Sequence, residues 1–148
     1  MKDKVIIGFI GAKNSGKSSA ADVLEKLGFH RLSINSKVKE FATNLLGTDT
    51  DDKSIHSLRM KGYGVNNGYW LNLTLMSVPD SVNFMVIEDV YEQDMIKGLV
   101  KTYEVIRDKE YLTDRIPDSE LILNDTSLDD FQRNVENTFK LIKKRSSK

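Results

Sequence analysis

The stretch Val5-Ile6-Ile7-Gly8-Phe9-Ile10-Gly11-Ala12-Lys13-Asn14-Ser15-Gly16-Lys17-Ser18-Ser19 decides the fold. Residues 5–10 form a nearly unbroken apolar run, as expected of a parallel strand covered on both faces. Residues 11–18 follow the spacing G-x-x-x-x-G-K-[ST]. From Lys17 to Leu27 the stripe Ala20, Val23, Leu24 and Leu27 predicts a helix, with Gly28 as its C-cap. Strand, glycine-bounded turn and helix in that order have a chemical purpose. Glycines let the backbone turn tightly, so that successive amide N–H groups point inward as an anion nest. The helix adds its positive N-terminal end. Lys17 then reaches the outer phosphates of a nucleoside triphosphate, and the Ser18 hydroxyl is placed to coordinate magnesium. The expected cofactors are ATP and Mg2+, held by Gly11, Ala12, Lys13, Asn14, Ser15, Gly16, Lys17, Ser18 and Ser19.

Further along, strands and helices alternate. Phe29 to Ser33 reads as a second strand, and Asn35 or Ser36 as the cap of a helix running to about Leu46. Residues 53–78 read as helical at both ends around a glycine- and asparagine-rich turn at 62–68. Val82 to Ile87, Tyr103 to Arg107 and Glu120 to Leu123 read as strands, and Tyr91 to Val100 as a helix. Asp108 to Ser119 is expected to be a charged loop or short helix. The last helix is predicted to begin at Thr126 or Ser127, with Leu128, Phe131, Val135, Phe139 and Ile142 on its buried stripe. This pattern predicts a three-layer α/β fold. Its five-stranded parallel sheet is flanked by helices in one domain over residues 1–148, with right-handed crossovers.

Composition narrows the function classes. The chain has 148 residues, 22 basic and 22 acidic side chains and no cysteine. The missing cysteine excludes a disulfide framework and a thiolate zinc site, and fits a reducing, cytoplasmic compartment. A net charge of zero argues against nucleic acid as the main partner. No apolar run approaches the roughly 18 residues of a membrane span, so no membrane partner is expected. The short apolar stretch after Met1-Lys2-Asp3-Lys4 runs straight into the glycine turn without a small-residue cleavage site, and reads as a strand rather than a signal peptide.

A magnesium or acceptor-orienting carboxylate is expected at the tip of a neighbouring strand, where such sheets open toward their ligand. Asp89 is the candidate and Glu88 the alternative, because strand alternation turns only one of them into the site. Asn124, at the end of the fifth strand, either contacts the adenine or caps the turn. His30 and His56 have no second histidine or cysteine at ligand spacing, which argues against a further metal site.

Five segments resemble the deoxynucleoside monophosphate kinases of bacteriophages, a branch of the P-loop nucleotide kinases that includes dephospho-CoA kinase. They are residues 7–24, residues 32–40, Arg59 and Gly62 with Tyr69-Trp70, residues 86–90, and Leu121-Ile122-Leu123-Asn124-Asp125-Thr126-Ser127-Leu128. The resemblance implies transfer of the ATP γ-phosphate to the 5′-phosphate of a nucleoside monophosphate. It implies an acceptor region over about 33–78 containing Ser33, Arg59 and Trp70. In it Arg59 grips the acceptor phosphate with its bidentate fork, or is merely a helix-surface arginine. Trp70 with Tyr69 walls a base pocket or belongs to the core. A short lid over about 108–119 would bring Arg107 and Arg115 onto the transferring group, with Lys17 and Asp89 completing the catalytic set.

Departures are visible. Tyr91 stands where the family has an arginine, the lid region is short, and its ending reads Pro117-Asp118-Ser119-Glu120. The alternatives are therefore a nucleotide-binding regulatory or interaction module, a dephospho-CoA kinase-like enzyme, or a modified-pyrimidine kinase. A homodimer remains an open alternative to a monomer.

Overall fold

A computed structural model describes residues 4–46, 51–96, 99–107 and 115–146. The elements are β1 (Val5–Ile10), α1 (Lys17–Lys26), β2 (His30–Leu32), α2 (Ile34–Leu46), α3 (Asp52–Tyr63), α4 (Tyr69–Met76), β3 (Phe84–Ile87), β4 (Lys101–Ile106), β5 (Glu120–Leu123) and α5 (Leu128–Ser146). All strand pairings are parallel, in the order β2-β3-β1-β4-β5. The central position of β1 explains its continuous apolar run. Ile7 and Phe9 pack under α1 and α5, together with Ala20, Leu24, Phe131, Val135 and Phe139. Ile6 and Ile10 face the opposite layer, with Ile34 and Val38 of α2, Ile55 of α3, and Trp70 and Leu71 of α4. This is the expected three-layer α/β architecture.

Three local expectations are corrected. Helix α2 starts two or three residues before Asn35 or Ser36 as cap would place it: Ser33 caps it, its Oγ accepting from Ser36 N at 3.1 Å. Among the described residues of the expected Tyr91–Val100 helix, the helical part is a single 3-10 turn at Glu92–Asp94. Asp94 turns its carboxylate into the protein and accepts from Tyr91 N at 2.9 Å, a capping box at the start of that turn. Leu128 is 59% exposed and leaves the stripe to Phe131, Val135 and Phe139, with Ile142 packed against them. Among the described residues no helix is long and apolar enough to cross a membrane.

Candidate functional site

The turn after β1 is shaped by its backbone. Gly16 has φ 116°, and a Cβ on it would lie 2.6 Å from Asn124 Nδ2 and 3.2 Å from the Phe131 ring. Asn14 takes a left-handed φ of 66°, which asparagine tolerates better than most residues. The first turn of α1 has no side-chain cap and carries no acidic residue of its own. Its N–H groups and dipole remain free for a phosphate. Ser15 Oγ is buried inside the loop without a hydrogen-bond partner among the described residues. Asn124 braces the loop from β5, Nδ2 donating to Ser15 O at 2.9 Å. Lys17 Nζ donates to Gly11 O at 2.6 Å. Burial pushes the Lys17 ammonium below its ordinary range, and the negative charge of Asp89 opposes that shift.

A cleft of about 970 Å³ opens from this loop. Gly11, Lys13, Asn14, Gly16, Lys17, Ser18, Ser19, Arg107 and Asn124 line one part of it, together with Thr126 and Leu128. The cleft continues to Asn35, Asp52, Ile55, His56 and Tyr91. The first group is mostly the set expected from sequence. The second was missed as a surface, although Asp52, Ile55 and His56 stand at i, i+3 and i+4 and so share one face of α3.

Other expected site residues are engaged elsewhere. Arg59 has no exposed surface. Its Nε donates to Tyr63 Oη (2.8 Å), Nη1 to Asn35 Oδ1 (2.9 Å), and Nη2 to Asp94 Oδ2 and Asp89 O (both 2.7 Å). An acceptor phosphate has no access to that fork in this conformation. Trp70 is 1% exposed and donates from Nε1 to Arg59 O at 2.7 Å, so it belongs to the core rather than a base pocket. Ser33 works as a helix cap, donating from Oγ to Asp89 Oδ2 at 2.9 Å. Arg115 donates from Nε to Glu104 Oε1 (2.8 Å) and from Nη2 to Ser119 O (3.0 Å), and does not line the cleft. Of the expected lid, residues 108–114 lie outside the described residues.

The choice between Glu88 and Asp89 is decided by their partners. Glu88 pairs with Arg31 at 2.6 Å. Asp89 turns to the N-terminus of α2, accepting from Ile34 N and Asn35 N at 2.8 Å as well as from Ser33. Three donors occupy its carboxylate, and it does not line the cleft. It acts on Lys17 through its charge. Among the described residues no cluster of three histidine or acidic side chains could hold a metal by itself. Ser18 lines the cleft next to Lys17, and its hydroxyl would be the protein ligand for a magnesium ion carried in on a phosphate.

No family model matches the chain, and no curated protein matches it in sequence. Solved structures do. A dephospho-CoA kinase from Campylobacter jejuni superposes with a TM-score of 0.63 at 13% identity, over 94% of this chain and 97% of that one. A Thermus thermophilus protein gives 0.59 at 17% identity, over 95% and 99%. A sugar kinase from Janibacter sp. gives 0.50 at 12% identity, over 95% of each chain. Identities this low establish architecture: this chain has the α/β fold of the P-loop kinases.

Proposed function

We propose that this chain is an ATP-dependent phosphotransferase, moving the γ-phosphoryl group of ATP to a small nucleotide- or nucleoside-like acceptor. The observation that carries the reading is the continuous cleft from the uncapped N-terminus of α1 and Lys17 to the wall formed by Asn35, Asp52, Ile55, His56 and Tyr91. A nucleotide-binding turn needs only the first half; the remaining lining residues of the same cleft supply room for an acceptor. The turn's amides hold the polyphosphate, and Lys17, released from Gly11 O, follows negative charge onto the transferring group. Ser18 is the protein ligand for magnesium, which when bound neutralises phosphate charge. Arg107, exposed at the end of β4 and lining the cleft, is the described arginine placed to reach that charge. Positioning and electrostatics do the chemistry, in an in-line transfer.

The test is ADP formation from ATP–magnesium against a panel of nucleosides, nucleoside monophosphates, dephospho-CoA and hydroxymethylated pyrimidine nucleotides. At least one acceptor should stimulate turnover, and Lys17→Ala should lower kcat by about 10²–10³-fold, the scale for removing a group aimed at developing charge. A panel without stimulation rejects the reading. A second reading, a nucleotide-binding regulatory module, is favoured by the engagement of Arg59 away from the cleft. It predicts ATP binding by calorimetry without acceptor-dependent ADP.

A further inference from the structure

The part of the cleft lined by Asn35, Asp52, Ile55, His56 and Tyr91 has an unusual chemistry for a phosphate acceptor. A phosphomonoester carries roughly one and a half to two negative charges near neutral pH, and arginine's fork is the group that fits it best. Among the described residues that form this wall, none is arginine or lysine, and Asp52 contributes a carboxylate. Arg59 continues the same face of α3 but stands behind the wall. Its guanidinium carbon lies 3.5 Å from the centroid of the Tyr91 ring, and Asn35 holds its Nη1. Tyr91 and Asn35 both line the cleft, whereas Arg59 does not. Tyr91 is thus a cover held over a buried cation by a cation–π contact. Its Oη lies 3.4 Å from His56 Nδ1, and the two rings sit 6.0 Å apart with a 55° tilt. Ile55, which lines the cleft with them, gives this part of the wall an apolar and aromatic patch, suited to a planar ring rather than a dianion.

We propose that Tyr91 sets the acceptor class: covering Arg59, it excludes a phosphomonoester and offers its ring, with His56 and Ile55, to an uncharged ring-bearing acceptor whose hydroxyl receives the phosphoryl group. This rests on the phosphotransferase reading above and narrows its acceptor to a nucleoside-like alcohol. In the step, a lone pair of the hydroxyl oxygen attacks the γ-phosphorus. The bond from that phosphorus to the β,γ-bridging oxygen breaks, ADP departs with that electron pair, and the hydroxyl proton passes to water. The products are a phosphate monoester and ADP.

The experiment compares nucleosides with their own 5′-monophosphates as acceptors, reading ADP formation, with ATP binding measured separately by calorimetry. The wild-type chain should use nucleosides with kcat/KM about tenfold or more above the matching monophosphates, the discrimination expected of a wall whose described residues offer no basic partner for the extra charge. Tyr91→Ala should raise KM for nucleosides about tenfold and shrink that ratio, while Tyr91→Phe, which keeps the ring, should preserve it. Should Tyr91→Ala not fold, His56→Ala and the wild-type ratio carry the same test. A wild-type preference for monophosphates, an unchanged ratio in Tyr91→Ala, or ATP binding with stimulation by neither class overturns the inference. Failure of the wild-type chain to bind ATP at all instead removes the phosphotransferase reading, and the inference falls with it.

Discussion

Replacing Asp94 by alanine strikes the most tightly coupled point beneath the acceptor wall. The Asp94 carboxylate has no exposed surface and accepts from Arg59 Nη2 at 2.7 Å, Tyr63 Oη at 2.8 Å and Tyr91 N at 2.9 Å. Alanine leaves all three donors without that acceptor, one of them a guanidinium that cannot lose its charge. Breaking a buried ion pair from one side costs about 3–5 kcal/mol. Asp89 Oδ2 remains 3.8 Å from Arg59 Nη1, so the lower end, about 3 kcal/mol, is expected. At roughly 3 °C per kcal/mol for a chain of this size, Tm should fall by about 10 °C. The assay is urea unfolding followed by circular dichroism, with the midpoint shifting and the slope unchanged. Removing both charges in Asp94→Leu with Arg59→Met should recover most of the loss, because the cost lies in the uncompensated cation. A shift in Asp94→Ala below about 1 kcal/mol, or a double variant no better than the single one, refutes the reasoning.

Tyr63 yields a pH prediction. Burial raises its phenol well above the usual value, against the pull of Arg59. The unfolded phenol ionises near pH 10, so stability is complete below that pH and falls as the pH rises beyond it. Tyr63→Phe should flatten urea midpoints compared at about pH 8 and pH 11; an equally steep fall would reject the assignment. Because the Lys17 ammonium is depressed by burial and a bound polyphosphate restores it, ATP binding above the depressed value should take up a proton. Calorimetry in buffers of different ionisation enthalpy reads this, and Lys17→Ala should abolish it. Gly16→Ala places a Cβ 2.6 Å from Asn124 Nδ2 at φ 116°, a strain of roughly 1–2 kcal/mol or more. ATP affinity should drop at least about tenfold, the equivalent of 1.4 kcal/mol, and wild-type affinity in this variant would show that the loop tolerates reshaping.

The parts legible in the sequence are those whose signal is short-ranged. The apolar run at 5–10 marks a strand covered on both faces. The glycine spacing at 11–18 marks the anion nest, because each position answers a backbone requirement within a few residues. Helix boundaries were harder where capping came from afar. The start of α2 depends on Asp89, more than 50 positions away in sequence, which accepts from Ile34 N and Asn35 N. The helix expected after Tyr91 fails because Asp94 binds α3 instead of facing solvent, a partner choice that periodicity does not encode.

By itself, then, the sequence determined the layered α/β architecture and the loop that turns its amides toward an anion. Both follow from local period and backbone permissiveness. Tertiary structure alone decided the roles of the charged side chains. Arg59 lies in a helix that spacing can find, but Asn35 of α2 and Asp89, Tyr91 and Asp94 of the stretch after β3 surround it from two other segments. Whether a guanidinium faces a ligand or is enclosed depends on which distant residues the fold brings against it, and the free energy of burying a charge makes that choice nearly all-or-none.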